Sequence, residues 1–341
     1  MGAHELHDTA KTIVADNKGI LAADESTGTI KKRFDGIGVE STEENRRTYR
    51  QLLFTAAGME DAIGGVILYD ETLRQSADDG TSLAEVLSSK GVVPGIKVDT
   101  GAHDQALFPG EKVTEGLDGL RARFEEYRSL GARFAKWRAV ITIGDGIPTD
   151  GNLRANAEAL ARYAALSQEA GIVPIVEPEV LMDGDNSLEV CQEVTTRTLH
   201  ETFAALYEHG IDLRGTLLKP NMVIPGKGAP DQSSPERIAE ATVNTFLGVV
   251  PAAIPGIVFL SGGQSEVEAT ENLNAINRIA GSPWPLSFSY GRALQASALE
   301  AWGGDSGNLE AAQAAFVHRA RMNERAVAGE WSAEMEQPVA V

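Results

Sequence analysis

Only one cysteine, Cys191, occurs among the 341 residues, so no disulfide can close within the chain. That usage fits a reducing compartment, the cytoplasm. No apolar run approaches the roughly 20 residues that a bilayer-spanning helix needs, so no membrane segment is expected. The opening stretch MGAHELHDTAKTIVADNKG has no cationic start followed by an apolar core, and no secretory signal is expected from it. Cations are scarce: 30 Lys and Arg stand against 49 Asp and Glu, a formal charge of −19. Such a balance repels nucleic acid and anionic lipid, so neither is an expected partner. Any local gathering of cations has therefore formed against the average.

Two nucleotide signatures are missing, G-x-x-x-x-G-K-[ST] and G-x-G-x-x-G, so the sequence offers no local support for nucleotide binding. The histidines are His4, His7, His103, His200, His209 and His318. Apart from His4 and His7 they are scattered, and none falls at the end of an expected strand. A metal centre lacks its usual ligands, and neither a metal nor an organic cofactor is expected.

What is present is a rhythm. Eight short β-rich segments recur: GILAAD at 19–24, AIGGVILY at 62–69, VVPGIKVD at 92–99, FAKWRAV at 134–140, VPIVEPE at 173–179, TLLKPN at 216–221, IVFLSGG at 257–263 and LSFSYG at 286–291. The gaps are long enough for a helix to cross over between parallel strands. Ser41 with Glu44, Ser82 with Glu85, and Ser265 with Glu268 spell the Ser-x-x-Glu capping box. Ser234-Pro235 sets a cap before a first-turn proline. Gly91, Gly131, Gly171 and Gly210 follow helical stretches where a left-handed residue ends a helix. Eight strand–helix units predict an α/β fold, a (β/α)8 TIM barrel, with a doubly wound open sheet as the alternative. Nothing linker-like divides the chain, so a single domain is expected over 1–328, with an N-terminal helical segment. Residues 329–341 lack helical periodicity and read as a mobile tail.

In such a barrel, catalytic groups gather at the C-terminal strand ends. Nearly every expected strand closes on polar chemistry here: Asp24, Lys97 with Asp99, Lys136 with Arg138, Glu177 with Glu179, Lys219, Ser261 and Ser289. Paired members are two apart and face the same way, while Trp137 and Pro178 between them face the helices. Each has a structural explanation when taken alone. Lys136 and Arg138 could neutralise Glu177 and Glu179, Asp24 to Gly28 could be an ordinary turn, and Lys219 could reach solvent. Their convergence on one rim of an acidic chain argues instead for an anionic ligand. Leu260-Ser261-Gly262-Gly263-Gln264-Ser265 and Ser289-Tyr290-Gly291-Arg292 each lead into a helix, and their backbone N–H groups suit phosphate. Phosphate sites after the seventh and eighth strands recur in TIM barrels.

These stretches carry a resemblance. GILAADESTGTIKKRF, ENRRTYRQLL, IGGVIL, GIKVD, FAKWR, GIVPIVEPE, GTLLKPNM, FLSGGQSE, LNAIN and SYGRALQASALEAW stand in this order along the chain. Over essentially its whole length the chain resembles class I fructose-bisphosphate aldolases. The resemblance implies Lys219 as the Schiff-base lysine and Glu177 as the acid–base for the carbinolamine, with Glu179 beside it. It implies Asp24 as the carboxylate of carbon–carbon cleavage and Lys136 as its cationic companion. Ser261, Gly262, Gly263, Ser289, Gly291 and Arg292 match positions that hold the C1 phosphate. Arg33, Ser26, Lys97 and Arg138 match positions toward the substrate and its C6 phosphate, and Thr29 stands where animal members usually carry serine. Tyr69-Asp70 replaces a usual Phe-His pair. Animal members end in a tyrosine that assists turnover, whereas the last tyrosine here is Tyr290 and the final residue Val341.

The implied chemistry is reversible retro-aldol cleavage of fructose 1,6-bisphosphate to dihydroxyacetone phosphate and glyceraldehyde 3-phosphate, the glycolytic lyase step. Its expected partner is a small sugar phosphate, and its expected assembly a homo-oligomer, a tetramer by the resemblance. An iminium at C2 supplies the electron sink, and a primary amine makes one. Whether Asp24 or Glu177 serves each proton transfer stays open. So do two rival readings: a Schiff-base aldolase of other range, on sedoheptulose bisphosphate or fructose 1-phosphate, and a non-catalytic binding or scaffold barrel.

Overall fold

Ten strands form in the computed structural model, which describes residues 3–279 and 281–337. In chain order they are β1 (Gly19–Ala23), β2 (Ile63–Leu68), β3 (Val93–Lys97), β4 (Gly101–Asp104), β5 (Lys112–Glu115), β6 (Phe134–Ile141), β7 (Val173–Val180), β8 (Leu217–Leu218), β9 (Ile257–Phe259) and β10 (Leu286–Tyr290). All but β4 and β5 pair in parallel in the closed order β1-β10-β9-β8-β7-β6-β3-β2. These are the eight segments expected from sequence, and their closure excludes the open sheet.

Helices precede, connect and follow the barrel strands: α1 (Ala3–Ile13), α2 (Thr27–Asp35), α3 (Glu43–Thr55), α4 (Asp70–Leu73), α5 (Leu83–Ser89), α6 (Leu120–Ser129), α7 (Asp150–Glu169), α8 (Leu188–Glu208), α9 (Pro235–Val249), α10 (Glu266–Asn277), α11 (Arg292–Trp302) and α12 (Leu309–Val327). Their starts obey capping chemistry. Ser82, Ser187, Ser234 and Ser265 each accept a backbone N–H from the third residue onward, which satisfies one of the orphan donors of a first turn. The reciprocal box is complete at Ser265 and Glu268. The box expected at Ser41 shifts by one residue, because Thr42 is the cap of α3 and accepts from Asn45 N. Ser41 instead accepts from the Arg46 guanidinium through its carbonyl.

Alternation along the strands sorts the side chains into two cores. Outward-facing Trp137 is fully buried against α7, stacked on Tyr163 with ring centroids 5.6 Å apart. Burying an indole of this size contributes roughly 4–6 kcal/mol of transfer free energy. Inward-facing Ile20, Ile67, Phe134, Val173, Ile175, Leu217 and Val258 pack with Ala10, Ile13 and Val14 of the N-terminal segment. That segment stoppers the N-terminal mouth of the barrel. A Cβ at Gly64 would lie 2.1 Å from the Ile13 carbonyl oxygen, so the stopper requires glycine there. Above this apolar layer, the same inward positions turn polar.

Two features escaped the sequence reading. The β4–β5 hairpin is tied to α7 by Asn152 and Asn156, which both donate to the Lys112 carbonyl. Buried Glu111 accepts from Thr149 N and Oγ1 at the start of the same helix. At the other end of the chain, the segment expected as a mobile tail is docked over its first part. Trp331 is buried, its N–H donates to Asn274 Oδ1, and its indole N–H reaches Glu336. Glu336 also pairs with Arg319 of α12. Residues 338–341 of that expected tail lie outside the described residues.

Candidate active site

Parallel register brings the strand-end charges to one level. Lys97 of β3 is paired with Lys136 of β6, and Arg138 of β6 with Glu177 of β7. Lys219 follows the short β8, and its N–H still bonds the Val176 carbonyl at 2.9 Å. Pro220 behind it disfavours helical backbone at the lysine. Asn221 completes the anchor: its Oδ1 accepts from Val180 N at 3.0 Å and its amide donates to Thr195 and to the Met222 carbonyl. The lysine is thus held on rigid backbone from both sides.

The charges interlock. Lys136 Nζ stands 2.7 Å from Asp24 Oδ2 and 3.2 Å from Glu177 Oε2, while Lys219 Nζ stands 3.1 Å from Glu177 Oε1. All four side chains are buried or nearly so. Burial pushes the Asp24 carboxyl up, but the Lys136 and Lys219 ammoniums outweigh it and hold that carboxyl well below the usual carboxylate range. Glu177 is likewise pushed up by burial, then brought below its ordinary value by Lys136, Lys219 and Arg138. For Lys136, burial favours the neutral amine, yet Asp24 and Glu177 raise it well above an ordinary lysine. For Asp24, Glu177 and Lys136, Coulomb attraction therefore wins over desolvation.

Two buried oxygens in this cluster make no hydrogen bond, Glu177 Oε2 and Ser289 Oγ. Lys136 lies within ion-pair range of that Glu177 oxygen, but off the hydrogen-bonding direction. An orphaned buried acceptor costs about 1–3 kcal/mol, so its retention points to a partner that arrives with a ligand.

Both oxygens belong to residues that line one cavity of about 410 Å³, within the range of small-ligand pockets. Asp24, Ser26, Thr29, Arg33, Lys97, Lys136, Arg138, Glu177, Glu179, Lys219, Ser261, Gly262, Ser289, Gly291 and Arg292 all line it. Of the residues singled out from sequence, Gly263 alone is outside the lining. It sits beside Gly262 at the rim, and its N–H points to Met182 Sδ at 2.7 Å. Ser26 caps α2 beside the cavity. The Ser261 and Gly291 loops lead into α10 and α11, and Gly262 adopts the left-handed φ of +56° that its turn demands.

Sequence reasoning missed the shell that aims Arg33. Glu25 is buried, and its carboxylate is shared by Arg33 and by buried Arg50 of α3. Gln295 of α11 adds a hydrogen bond to Glu25 Oε1 at 3.0 Å. Burial pushes the Glu25 carboxyl up, and the two guanidiniums bring it below its ordinary value. Glu25 stood beside Asp24 in a turn-like stretch, but nothing local joined it to Arg50 or Gln295. Asp99 grips Lys97, with Oδ1 2.7 Å from Nζ, and Thr100, Gly101 and Ala102 from the hairpin form the remaining wall. Among the described residues, no group of three or more His, Cys, Asp or Glu side chains is arranged to hold a metal ion. No helix among them is long and apolar enough to cross a membrane.

A mouth with a buried lysine and carboxylates at its centre and N–H-rich loops at its edge suits amine chemistry on an extended anion. Comparison with known proteins bears on that arrangement. The model of the class I fructose-bisphosphate aldolase family matches residues 5–340. The chain is 56% identical over 332 residues to the probable fructose-bisphosphate aldolase class 1 of Xanthomonas campestris pv. campestris, covering 97% of this chain and 99% of that one. It is 54% identical over 331 residues to the cytosolic fructose-bisphosphate aldolase 5 of Arabidopsis thaliana, covering 97% and 92%. The solved Plasmodium falciparum fructose-bisphosphate aldolase, in complex with TRAP and a small-molecule inhibitor, superposes with a TM-score of 0.96. Its sequence identity is 49%, with 97% of this chain and 96% of that chain covered.

Proposed function

The chain belongs to the class I fructose-bisphosphate aldolase family, and from that premise we propose how its own residues perform the cleavage of fructose 1,6-bisphosphate. The protein is a lyase, splitting the ketose bisphosphate reversibly into dihydroxyacetone phosphate and glyceraldehyde 3-phosphate.

Lys219 is the nucleophile. Its amine adds to the C2 carbonyl, and the resulting carbinolamine loses water to give an iminium. Glu177 carries the protons of these steps: one oxygen is 3.1 Å from Lys219 Nζ and the other makes no hydrogen bond. It can take a proton from the amine and return one to the departing hydroxyl. Asp24 takes the proton of the C4 hydroxyl as C4=O forms and the C3–C4 electron pair moves into the iminium, leaving an enamine and freeing the aldehyde. Lys136 keeps Asp24 ionised for that role. Protonation of the enamine at C3, then hydrolysis, releases dihydroxyacetone phosphate and restores the amine.

Ser261, Gly262, Ser289, Gly291 and Arg292 receive the C1 phosphate, and Gly263 adds its neighbouring N–H. Ser26, Thr29, Arg33, Lys97 and Arg138 face the C6 end, with Glu179 orienting Arg138. The two phosphates undergo no chemistry. They fix the ketose so that C2 lies over Lys219.

A single observation carries this assignment: Lys219 is buried at the centre of the polar cavity, 3.1 Å from a carboxylate. Borohydride reduction in the presence of dihydroxyacetone phosphate tests it. Mass spectrometry is expected to find a triose on Lys219 in protein treated with EDTA, with activity retained. Complete inhibition by the chelator without an adduct would overturn the assignment. We place the protein in the cytoplasm, as the lone buried Cys191 and the cytosolic Arabidopsis relative support. We also propose a homo-oligomer, a tetramer by family resemblance, which light scattering on the purified protein would test.

A further inference from the structure

Outside the cavity lining, one cation lies against the phosphate loop. Lys227 follows Gly226 in the connection after β8. Its side chain rests directly over Gly263: a Cβ added there would meet Lys227 Cε at 1.9 Å and Nζ at 2.1 Å. The ammonium therefore sits on the backbone of the glycine that neighbours cavity-lining Gly262. Its carboxylate partner is Asp183, 3.3 Å away, and both side chains are about half exposed or more. Such a pair is held weakly and exchanges readily with another anion.

The backbone beneath Lys227 is better fixed than its side chain. Lys227 N donates to the Met182 carbonyl at 2.9 Å, Gly226 N to the Asn186 carbonyl at 2.9 Å, and Gly228 N to the Gly184 carbonyl at 2.7 Å. The connections after β7 and β8 thus form one stitched platform over the loop after β9. Met182 of that platform accepts the Gly263 N–H through its sulfur. A thioether is a weak acceptor, easily displaced by a phosphate oxygen.

We infer that Lys227 is a further phosphate-binding residue of the site, releasing Asp183 to close over a phosphate held by the Ser261–Gly263 loop. The inference rests on the sugar-phosphate reading above. It adds one positive charge from the connection after β8 to a subsite otherwise made of loop N–H groups, Ser261, Ser289 and Arg292. The outer end of the lysine, Cε and Nζ, already lies against Gly263 of that loop.

The test uses two substitutions that break the same ion pair. Inorganic phosphate is titrated into the whole protein by calorimetry, and KM for fructose 1,6-bisphosphate is measured in parallel. K227Q is expected to weaken phosphate binding and raise KM by about fivefold, the worth of one partly exposed cation–phosphate contact. K227R is expected to restore most of it. D183N is expected to act in the opposite direction, tightening phosphate and lowering KM, because it frees the lysine. A purely structural role for the pair predicts the same direction for K227Q and D183N. That pattern, or no change in either, overturns the inference. Phosphate titration needs no amine chemistry, so failure of borohydride trapping in the unaltered protein would count against the Schiff-base assignment and not against Lys227.

Discussion

Glu177 Oε1 lies 3.1 Å from Lys219 Nζ across neighbouring barrel strands, while the opposite oxygen of the same carboxylate makes no hydrogen bond. One carboxylate is therefore set between two lysines, Lys219 at one oxygen and Lys136 at the other, whose hydrogen-bonding direction is left unfilled. That asymmetry is what a proton shuttle between an amine and a departing hydroxyl requires.

Replacing Lys219 by arginine keeps a cation opposite Glu177 but removes the nucleophilic amine. We expect kcat to fall by at least about a thousandfold and the borohydride adduct to vanish. Circular dichroism is expected to stay native-like. An adduct on another lysine, at normal rate, would refute the assignment.

Glu177 and Asp24 are separable by where each variant stalls. E177Q is expected to slow trapping of dihydroxyacetone phosphate by about a hundredfold or more, since formation of the iminium loses its acid–base. D24N is expected to trap the same triose readily while cleavage of the bisphosphate drops by a similar factor. Stopped-flow trapping alongside steady-state cleavage distinguishes the two, and equal defects in both assays would contradict the division of labour.

The ion cluster sets a sign for acid stability. Asp24 and Glu177 have native values below their ordinary 3.8 and 4.5, so their contribution to stability is fully present above that range. Below about pH 4.5 the unfolded chain binds protons that the native carboxylates refuse, and stability falls as pH falls toward the native values. Removing the cation by K136M raises both native values and flattens this dependence. Urea melts between pH 6 and pH 3 should show a shallower loss in K136M than in the parent, from a lower starting stability. An unchanged slope would show that Lys136 does not hold the two carboxylates ionised.

Glu25 binds Arg33 and Arg50 together in a buried position. E25Q leaves the Arg50 charge buried without its carboxylate, a loss of about 3–5 kcal/mol for a broken buried pair. Thermal unfolding should move down by several degrees or more. KM for the bisphosphate should also rise, because Arg33 loses its orientation. R50M, which removes the buried charge, is expected to show a smaller stability loss than E25Q. A larger loss in R50M would mean that the arginine's packing outweighs its charge.

Much of this protein was legible from local pattern. Strand alternation, a 3.6-residue helix period, caps such as Ser265 with Glu268 and glycine stops such as Gly171 are short-range effects, so the eight-unit barrel followed from sequence. The inward direction of Lys136, Arg138, Glu177 and Glu179 followed from the two-residue period of a strand. The position of α3's cap did not, since Ser41 and Thr42 are both competent and the turn geometry selected Thr42. The β4–β5 hairpin also escaped, because its strands are short and are held by Asn152, Asn156 and Thr149 from a helix some forty residues away.

Sequence by itself determined which residues carry charge, which face of each strand they occupy and at which end of the barrel they gather, because these depend on neighbours a few bonds away. Tertiary structure alone decided who pairs with whom: Lys219 and Lys136 sharing Glu177, Arg50 reaching Glu25, Lys227 resting on Gly263. Those choices depend on distances between segments far apart in the chain. Coulomb energy and desolvation change steeply over such distances, and no local pattern fixes them.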